Sequence, residues 1–464
     1  ISDPVRHSLE KAQSSNSQLR SPSGQTDAGM SETSSAPFES KTFNTVSAST
    51  PQDYGAERLD AQALAEAGAE AKESLAESKS SVRSENMFEM DSTFLLVKKF
   101  LVYKLMGSNL FLNYSLGAVS VAYRLMGIRL TNFLINHSVG SIFTSGESVQ
   151  SLVRDRNEHD AKNIGSIGCY FVEGLKTMDL PKMEKFYSDI LESIEVLSNG
   201  QEESNLALRL TTLIPLDVQQ KLNRAQQVFV NDILKFSRQD TIDISDLKNS
   251  LLERGIAFSP AELSLLFQSL QFEDNKGGET VSRLEIYANG HLFRITPPQS
   301  EDQKVLEFLR QRIALGTGTG VSEEDLLVFE DFAAKVLHLT TVASERNCSL
   351  FVDAEQSYIQ DSIASVAQQL THIFNRGEKH TIMNGYQCYL KKTPEIIQYE
   401  VATSKRLGYN LGIKLIRGAY MNEERKLAQE NGYESPVWEE IEETHKSYND
   451  SMVHIIRNLT PEGL

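Results

Sequence analysis

Cysteine is scarce. The 464-residue chain has three, Cys169, Cys348 and Cys388, far apart in sequence. That excludes a disulfide framework and a cysteine zinc site, and it fits a reducing interior. Positive charge is also short. Lys and Arg number 46 against 63 Asp and Glu, a formal charge of −17 with a pI near 5.1. Duplex nucleic acid, which asks for a basic face, is thereby excluded as a partner. Long apolar runs are missing too: within the apolar region, the charge-free stretch Ser108 to Tyr123 is too short to span a bilayer. The front of the chain is not Arg-rich and acid-poor, as a mitochondrial presequence would be. Ile1 in place of methionine, and "NLTPEGL" with no domain stop signal, make both ends read as edges of a fragment. Asn-X-Ser/Thr matches at Asn113, Asn136, Asn347 and Asn458 read as chance in a reduced protein.

What is present supports a sizeable core: the chain is 40% hydrophobic and long enough for two or three domains. Residues 1–87 are the exception, a Ser/Ala/Glu-rich tail with few large apolar residues. Such a segment cannot offset the entropy of ordering, so disorder is expected, with a loose helix around "AQALAEAGAEAKESLAES". Residues 93–160 form an N-terminal helical region whose apolar runs are interrupted by Lys98, Lys99, Lys104, Arg124 and Arg129. Buried or amphipathic helices, or docking onto a membrane surface, both fit that pattern.

Further on, "IGSIGCYFVE" (164–173) and "NLALRLTTL" (205–213) read as β-like runs, the second with Arg209 in its middle. From Cys348 the pattern turns regular: "CSLFVDAE", "TIMNGYQCYL" and "NLGIKLIRGAY" are strands separated by helical "SYIQDSIASVAQQLTHIFN" and "PEIIQYEVATSKRLG". This alternation marks parallel βαβ units. Each strand ends in polar chemistry: Asp353 and Glu355, then Gln387, then Lys414 and Arg417. Cations near a strand end are also met on half-exposed strands whose long side chains reach solvent. Three successive polar strand ends argue for a site, because parallel α/β folds bind ligands there.

The segments "LFVDAEQSYIQ", "NGYQCYLKK", "GIKLIRGAYMNEERKLAQENGYESP" and the Tyr448 helix resemble the proline dehydrogenase family of eukaryotic mitochondria and bacteria, with a weaker likeness in "FTSGES", "YFVE" and "LALRLTTL". The resemblance implies a (β/α)8 TIM-type barrel with FAD at its C-terminal mouth. It also implies oxidation of L-proline to 1-pyrroline-5-carboxylate by hydride transfer to flavin, electrons passing to quinone, the first step of proline catabolism. It places the protein on the matrix side of the mitochondrial inner membrane, with peripheral membrane contact. Residue by residue, it assigns Asp353 and Lys414 to catalysis and to the flavin, Lys414 as the cation facing the ring. Gln387, Arg417, Gly418 and Ala419 fall to the cofactor, Arg209 and Tyr420 to the substrate. Arg209 stands where the family has lysine, and a guanidinium can still bind a carboxylate. Glu355 and Glu442 read as supporting groups, since hydride abstraction does not need paired carboxylates. No metal is implied.

Residues 225–295 exceed what such a barrel requires. Two helix–loop–helix segments, with loop centres Ile242 and Val281 39 residues apart, resemble a pair of EF-hands. Calcium loops need oxygen ligands at positions 1, 3, 5, 9 and 12. The second loop offers Asp274 and Glu285 but Lys276 between them, and the first offers Lys235, Ser237 and Gln239, so a degenerate structural pair is expected. The barrel would begin over 161–224 and resume over 300–464, with four strands counted from Arg209: 206–210, 348–352, 381–387 and 411–416. The fold class expected is therefore α/β, a partial, C-terminally truncated barrel with N-terminal helices, and the chain as given is expected to be inactive or very weak. The alternatives are a truncated, non-catalytic isoform or pseudoenzyme acting by binding, and a hydroxyproline dehydrogenase.

Overall fold

The structure, a computed structural model, describes residues 91–146, 148–170, 179–201, 203–235 and 241–458. The tail expected over 1–87, with its loose helix, lies outside these residues. The described chain falls into two compact units that divide between Thr144 and Ser145. The expected helical region 93–160 is therefore split. In the first unit, α1 (Thr93–Met106) starts at Ser92, whose hydroxyl accepts from Leu95 N, and α2 (Asn109–Ile135) breaks at Gly127, where φ is 78°. Phe94, Phe100, Tyr114 and Leu125 are exposed. No described helix is long and apolar enough to cross a membrane.

The second unit opens with α3 (Val149–Asp160), which packs on α4 (Leu180–Ser198). Its sheet is parallel throughout, in the order β1 (Gly168–Cys169), β2 (Ser204–Leu208), β5 (Cys348–Val352), β6 (Ile382–Gln387), β7 (Ile413–Ile416). Parallel neighbours need long crossovers. Helix α11 (Ser357–Phe374) links β5 to β6, and α12 (Thr393–Leu407) links β6 to β7. Helix α11 buries Ile359, Ile363, Val366, Leu370 and Phe374, the i, i+3, i+4, i+7 stripe of a helix lying on a core. Helix α12 stops at Gly408 in the left-handed region, φ 64°, where glycine carries no Cβ penalty. Helix α13 (Met421–Asn431) and α14 (Ile441–Asn458) follow β7.

The four strands counted from Arg209 are present as β2, β5, β6 and β7, and one strand precedes them inside the β-like run 164–173. That strand, β1, pairs Gly168 to Leu206 and Cys169 to Ala207. The end expected for β2 needs correcting: the strand stops at Leu208, one residue before Arg209. The Arg209 carbonyl turns away to accept from Thr212 N at 3.2 Å and Thr212 Oγ1 at 2.7 Å, which closes a short 3₁₀ turn. The described residues form a mostly helical α/β structure with one open five-stranded sheet, β1 and β7 at its edges.

Between β2 and β5 come α5 (Leu216–Val228), β3 (Thr241–Asp243), α6 (Ile244–Glu253), α7 (Pro260–Gln268), β4 (Thr280–Ser282), α8 (Arg283–Asn289), α9 (Glu301–Gly316) and α10 (Glu323–Glu345). Strands β3 and β4 pair antiparallel with Ile242 opposite Val281. Reciprocal caps at Asp243/Asp246, Ser259/Glu262 and Ser282/Glu285 start α6, α7 and α8. This segment has no core of its own. Leu247, Leu251, Leu266, Phe267, Val281 and Ile286 join one cluster with Leu206, Leu208, Leu350 and Val352. A buried carboxylate, Glu400 on α12, adds a polar tie by accepting from Tyr287 at 2.6 Å and Tyr409 at 3.1 Å.

Glu285, the last calcium-loop position, is 3% exposed and already occupied. It accepts from Phe272 N at 3.0 Å, Asn275 Nδ2 at 2.7 Å, and Ser282 N and Oγ at 2.8 Å. Asp274 pairs with Arg406, and Lys276 with Glu273. Titration calorimetry with calcium is expected to show no micromolar binding, whereas Glu285→Ala should destabilise the protein by about 3 kcal/mol by orphaning buried donors. Micromolar calcium affinity would overturn this account.

Candidate active site

The site is built on one transverse row of the sheet. Leu208 pairs with Val352, Val352 with Asn384, and Gly385 with Lys414. The next position along each strand therefore aligns Arg209, Asp353, Gly385 and Lys414, just past the C-terminal ends of β2 and β5 and within β6 and β7. Asp353 N donates to Leu208 O at 3.0 Å and extends the ladder by one step. Its carboxylate then lies between two cations: Oδ1 accepts from Lys414 Nζ at 2.8 Å, and Oδ2 stands 3.5 Å from Arg209 Nε. Lys414 reaches Asp353 although β6 lies between their strands, because the intervening residue is Gly385. A Cβ there would come 2.8 Å from Ala354 N and 2.9 Å from Val352 O, so the backbone approach itself demands glycine.

The cluster stays open to a ligand. Side-chain exposure is 35% for Lys414, 26% for Arg209 and 20% for Asp353. Tyr420, which precedes α13, is half-buried beside it. Burial pushes its hydroxyl up, Arg209 pulls it down, and Glu355 and Asp353 push it up. Glu355 lies beneath, 6% exposed, accepting from Thr211 Oγ1 at 2.8 Å. Burial pushes its carboxyl up, against Thr211 and Arg209. Glu442 is exposed in the first turn of α14.

Gln387 closes β6 and is buried. Its Nε2 donates to Glu355 O at 2.7 Å and its Oε1 accepts from Ala419 N at 3.3 Å, tying the loop after β5 to the loop after β7. Arg417 turns the other way. Its Nε donates to His445 Nδ1 at 3.0 Å, and its guanidinium stacks 4.3 Å from the Tyr448 ring centroid, both on α14. Gly418 packs against Tyr389. The structure thus gathers Arg209, Asp353, Lys414 and Tyr420, has Gln387 and Ala419 brace the loops, and commits the Arg417 side chain to α14.

Two participants escape a reading of the sequence. Gly385 was visible only as one glycine in a strand, a feature that signals a close approach. Cys169, exposed at the end of β1, lies in the field of the cluster: burial and Asp353 push its thiol up, while Arg209 and Lys414 pull it down. Only a three-dimensional register reveals that neighbourhood.

Arg209 and Asp353 follow the last residues of β2 and β5, and Lys414 reaches them from within β7; the C-terminal ends of parallel strands are where α/β proteins bind ligands. The chain belongs to the proline dehydrogenase family: the family profile, described as Proline dehydrogenase, matches residues 158–461. It is similar to "Proline dehydrogenase 1, mitochondrial" of Caenorhabditis elegans, 25% identical over 313 residues, covering 65% of this chain and 48% of that protein. The protein of the same name from Homo sapiens is 36% identical over 138 residues, 30% of this chain and 23% of that one. "Hydroxyproline dehydrogenase" of Xenopus laevis is 36% identical over 110 residues, 24% of this chain and 23% of that one. The chain spans about half the length of the worm relative.

Proposed function

We propose that the chain carries the reaction site of an FAD-dependent proline dehydrogenase, oxidising L-proline to 1-pyrroline-5-carboxylate with quinone as final acceptor. The carrying observation is the Arg209–Asp353–Lys414 row, which sets a carboxylate between two cations at an open strand end. The residues fit a flavin by their donor set: a fixed ammonium, a carboxylate, and an amide nitrogen with one hydrogen beyond the bond to Glu355. Lys414, Asp353, Gln387 and the Arg417–Ala419 backbone would hold it. When bound, the flavin supplies the hydride acceptor for proline oxidation.

The chain's own residues supply position and charge. Asp353 fixes the Lys414 ammonium, so that this cation need not reorganise when negative charge develops beside it. Arg209 offers a guanidinium fork to the substrate carboxylate, and Tyr420 walls the pocket. Gln387 braces Ala419 and with it the loop behind Lys414. Within this proposal the sheet is the opening part of a (β/α)8 barrel. The protein sits on the matrix side of the mitochondrial inner membrane with peripheral contact, a placement supported by the mitochondrial names of the worm and human relatives.

The test is the flavin spectrum of the purified full-length product, with and without proline. Proline should bleach the oxidised flavin band. A bound flavin that proline leaves oxidised removes the reading. The Xenopus match keeps hydroxyproline as a second substrate to compare, and faster bleaching by hydroxyproline would select it. Arg209→Met should raise KM for proline about 10- to 100-fold with a smaller change in kcat, the signature of lost substrate binding, in steady-state dye reduction.

A further inference from the structure

A polar cavity of about 260 Å³ lies away from the charged row, between the end of α7, the loop through Gln271 and Lys276, and α9. Two arginines line it, Arg294 and Arg310. Arg310 is 6% exposed; its Nη2 donates to Ser269 Oγ at 3.1 Å, and its Nε is buried without a partner. Neither guanidinium has a carboxylate at ion-pair distance among the described residues. Lys276 and Glu273, also lining the cavity, neutralise each other at 2.7 Å. That leaves two cations against one acid, Glu307, which burial pushes toward its neutral form against the pull of Arg310 and Arg294. Burial and the neighbouring Arg294 charge bring the Arg310 guanidinium down to about 10. Two neighbouring cations, one buried and one half-buried, facing a single acid leave positive charge uncompensated, a costly arrangement that proteins otherwise pair. Gln303 adds a donor, since its Oε1 accepts from Gln299 N at 2.6 Å and its Nε2 is left for a ligand.

We infer that this cavity binds a small oxyanion, the carboxylate or phosphate group of a metabolite, between Arg294 and Arg310. Planar guanidinium forks suit both groups, and the volume admits more than the bare ion. The ligand would bridge the second helix–strand–helix segment and α9. The inference does not depend on the flavin reading.

Thermal unfolding of the chain tests it, with inorganic phosphate and with succinate against sodium chloride at matched ionic strength. At saturation one of the two anions should raise the midpoint by about 2–4 °C over chloride, and the better one names the group. Arg294→Gln should abolish the shift. Arg310→Met should abolish it while leaving the unliganded midpoint unchanged or higher, because an unpaired buried charge is removed; a purely structural arginine would lower it. Midpoints that neither anion moves beyond chloride, or a shift that survives in Arg294→Gln, overturn the inference.

Discussion

On the proposed function, Lys414→Met is expected to lower proline-dependent flavin reduction in the full-length product by about 100- to 1,000-fold, the loss usual when a preorganised charge is removed from developing negative charge. The substitution keeps the length and apolar stem of the side chain and deletes the ammonium. The fold should survive it. Lys414 is about one-third exposed, and an ion pair of that exposure contributes about 1 kcal/mol or less. Asp353 retains Arg209, 3.5 Å away, as a partner. The midpoint of unfolding should therefore move little while stopped-flow reduction slows and the flavin potential falls. Lys414→Arg should lose about tenfold, since the charge remains but its fork cannot take the compact geometry beside Gly385. The measurements are single-turnover bleaching and a redox titration. Reduction by Lys414→Met within about threefold of the parent would take Lys414 out of the reaction site, because so small a change lies below any electrostatic role.

The same row shows what a sequence discloses and what it withholds. Strand β5 was legible to the residue, because "CSLFV" alternates and is bounded by a charged segment on its far side. Helix α11 was legible for a similar reason, its apolar stripe keeping helical spacing over 18 residues. The clustering of polar residues at strand ends was legible as well. The pairing of Asp353 with Lys414 across an intervening strand was not, because register is set by tertiary pairing. Strand β1 was legible as part of the run 164–173, but not its bounds, because two residues are too short to present a period. The end of β2 was misplaced by two residues, at Leu210 in place of Leu208, because a side chain, Thr212, decides where the backbone turns. The pairing of Ile242 with Val281 follows the spacing of the two loop centres. That their helices share the core of the sheet could not be read, since one apolar stripe looks the same whether it packs on a neighbour or on a partner domain.

Among the described glycines, Gly418→Ala should be the most damaging added methyl, costing about 4 kcal/mol or more in chemical unfolding. The loop after β7 holds Gly418 at φ 143°, a conformation that side chains rarely adopt. The added Cβ would stand 1.4 Å from Tyr389 Cδ1 and 2.0 Å from Cε1. Neither side can yield easily. Tyr389 is 3% exposed, its N donates to Arg417 O at 2.7 Å and its carbonyl accepts from Trp438 N at 2.9 Å. The loop in turn is held by Ala419 N on Gln387 and by Arg417 on His445 and Tyr448. The glycine is thus required by the protein's own packing, whatever binds above it. Two controls separate sterics from backbone strain. Tyr389→Ala combined with Gly418→Ala removes the clash and should recover part of the loss relative to the sum of the single changes, a coupling a double-mutant cycle measures directly. Ala419→Gly, one residue on, should cost less than about 1 kcal/mol, since it adds nothing to the Tyr389 contact. If Gly418→Ala unfolds at the parent's denaturant midpoint, the loop does not pack on Tyr389, and the brace behind Lys414 must be sought elsewhere.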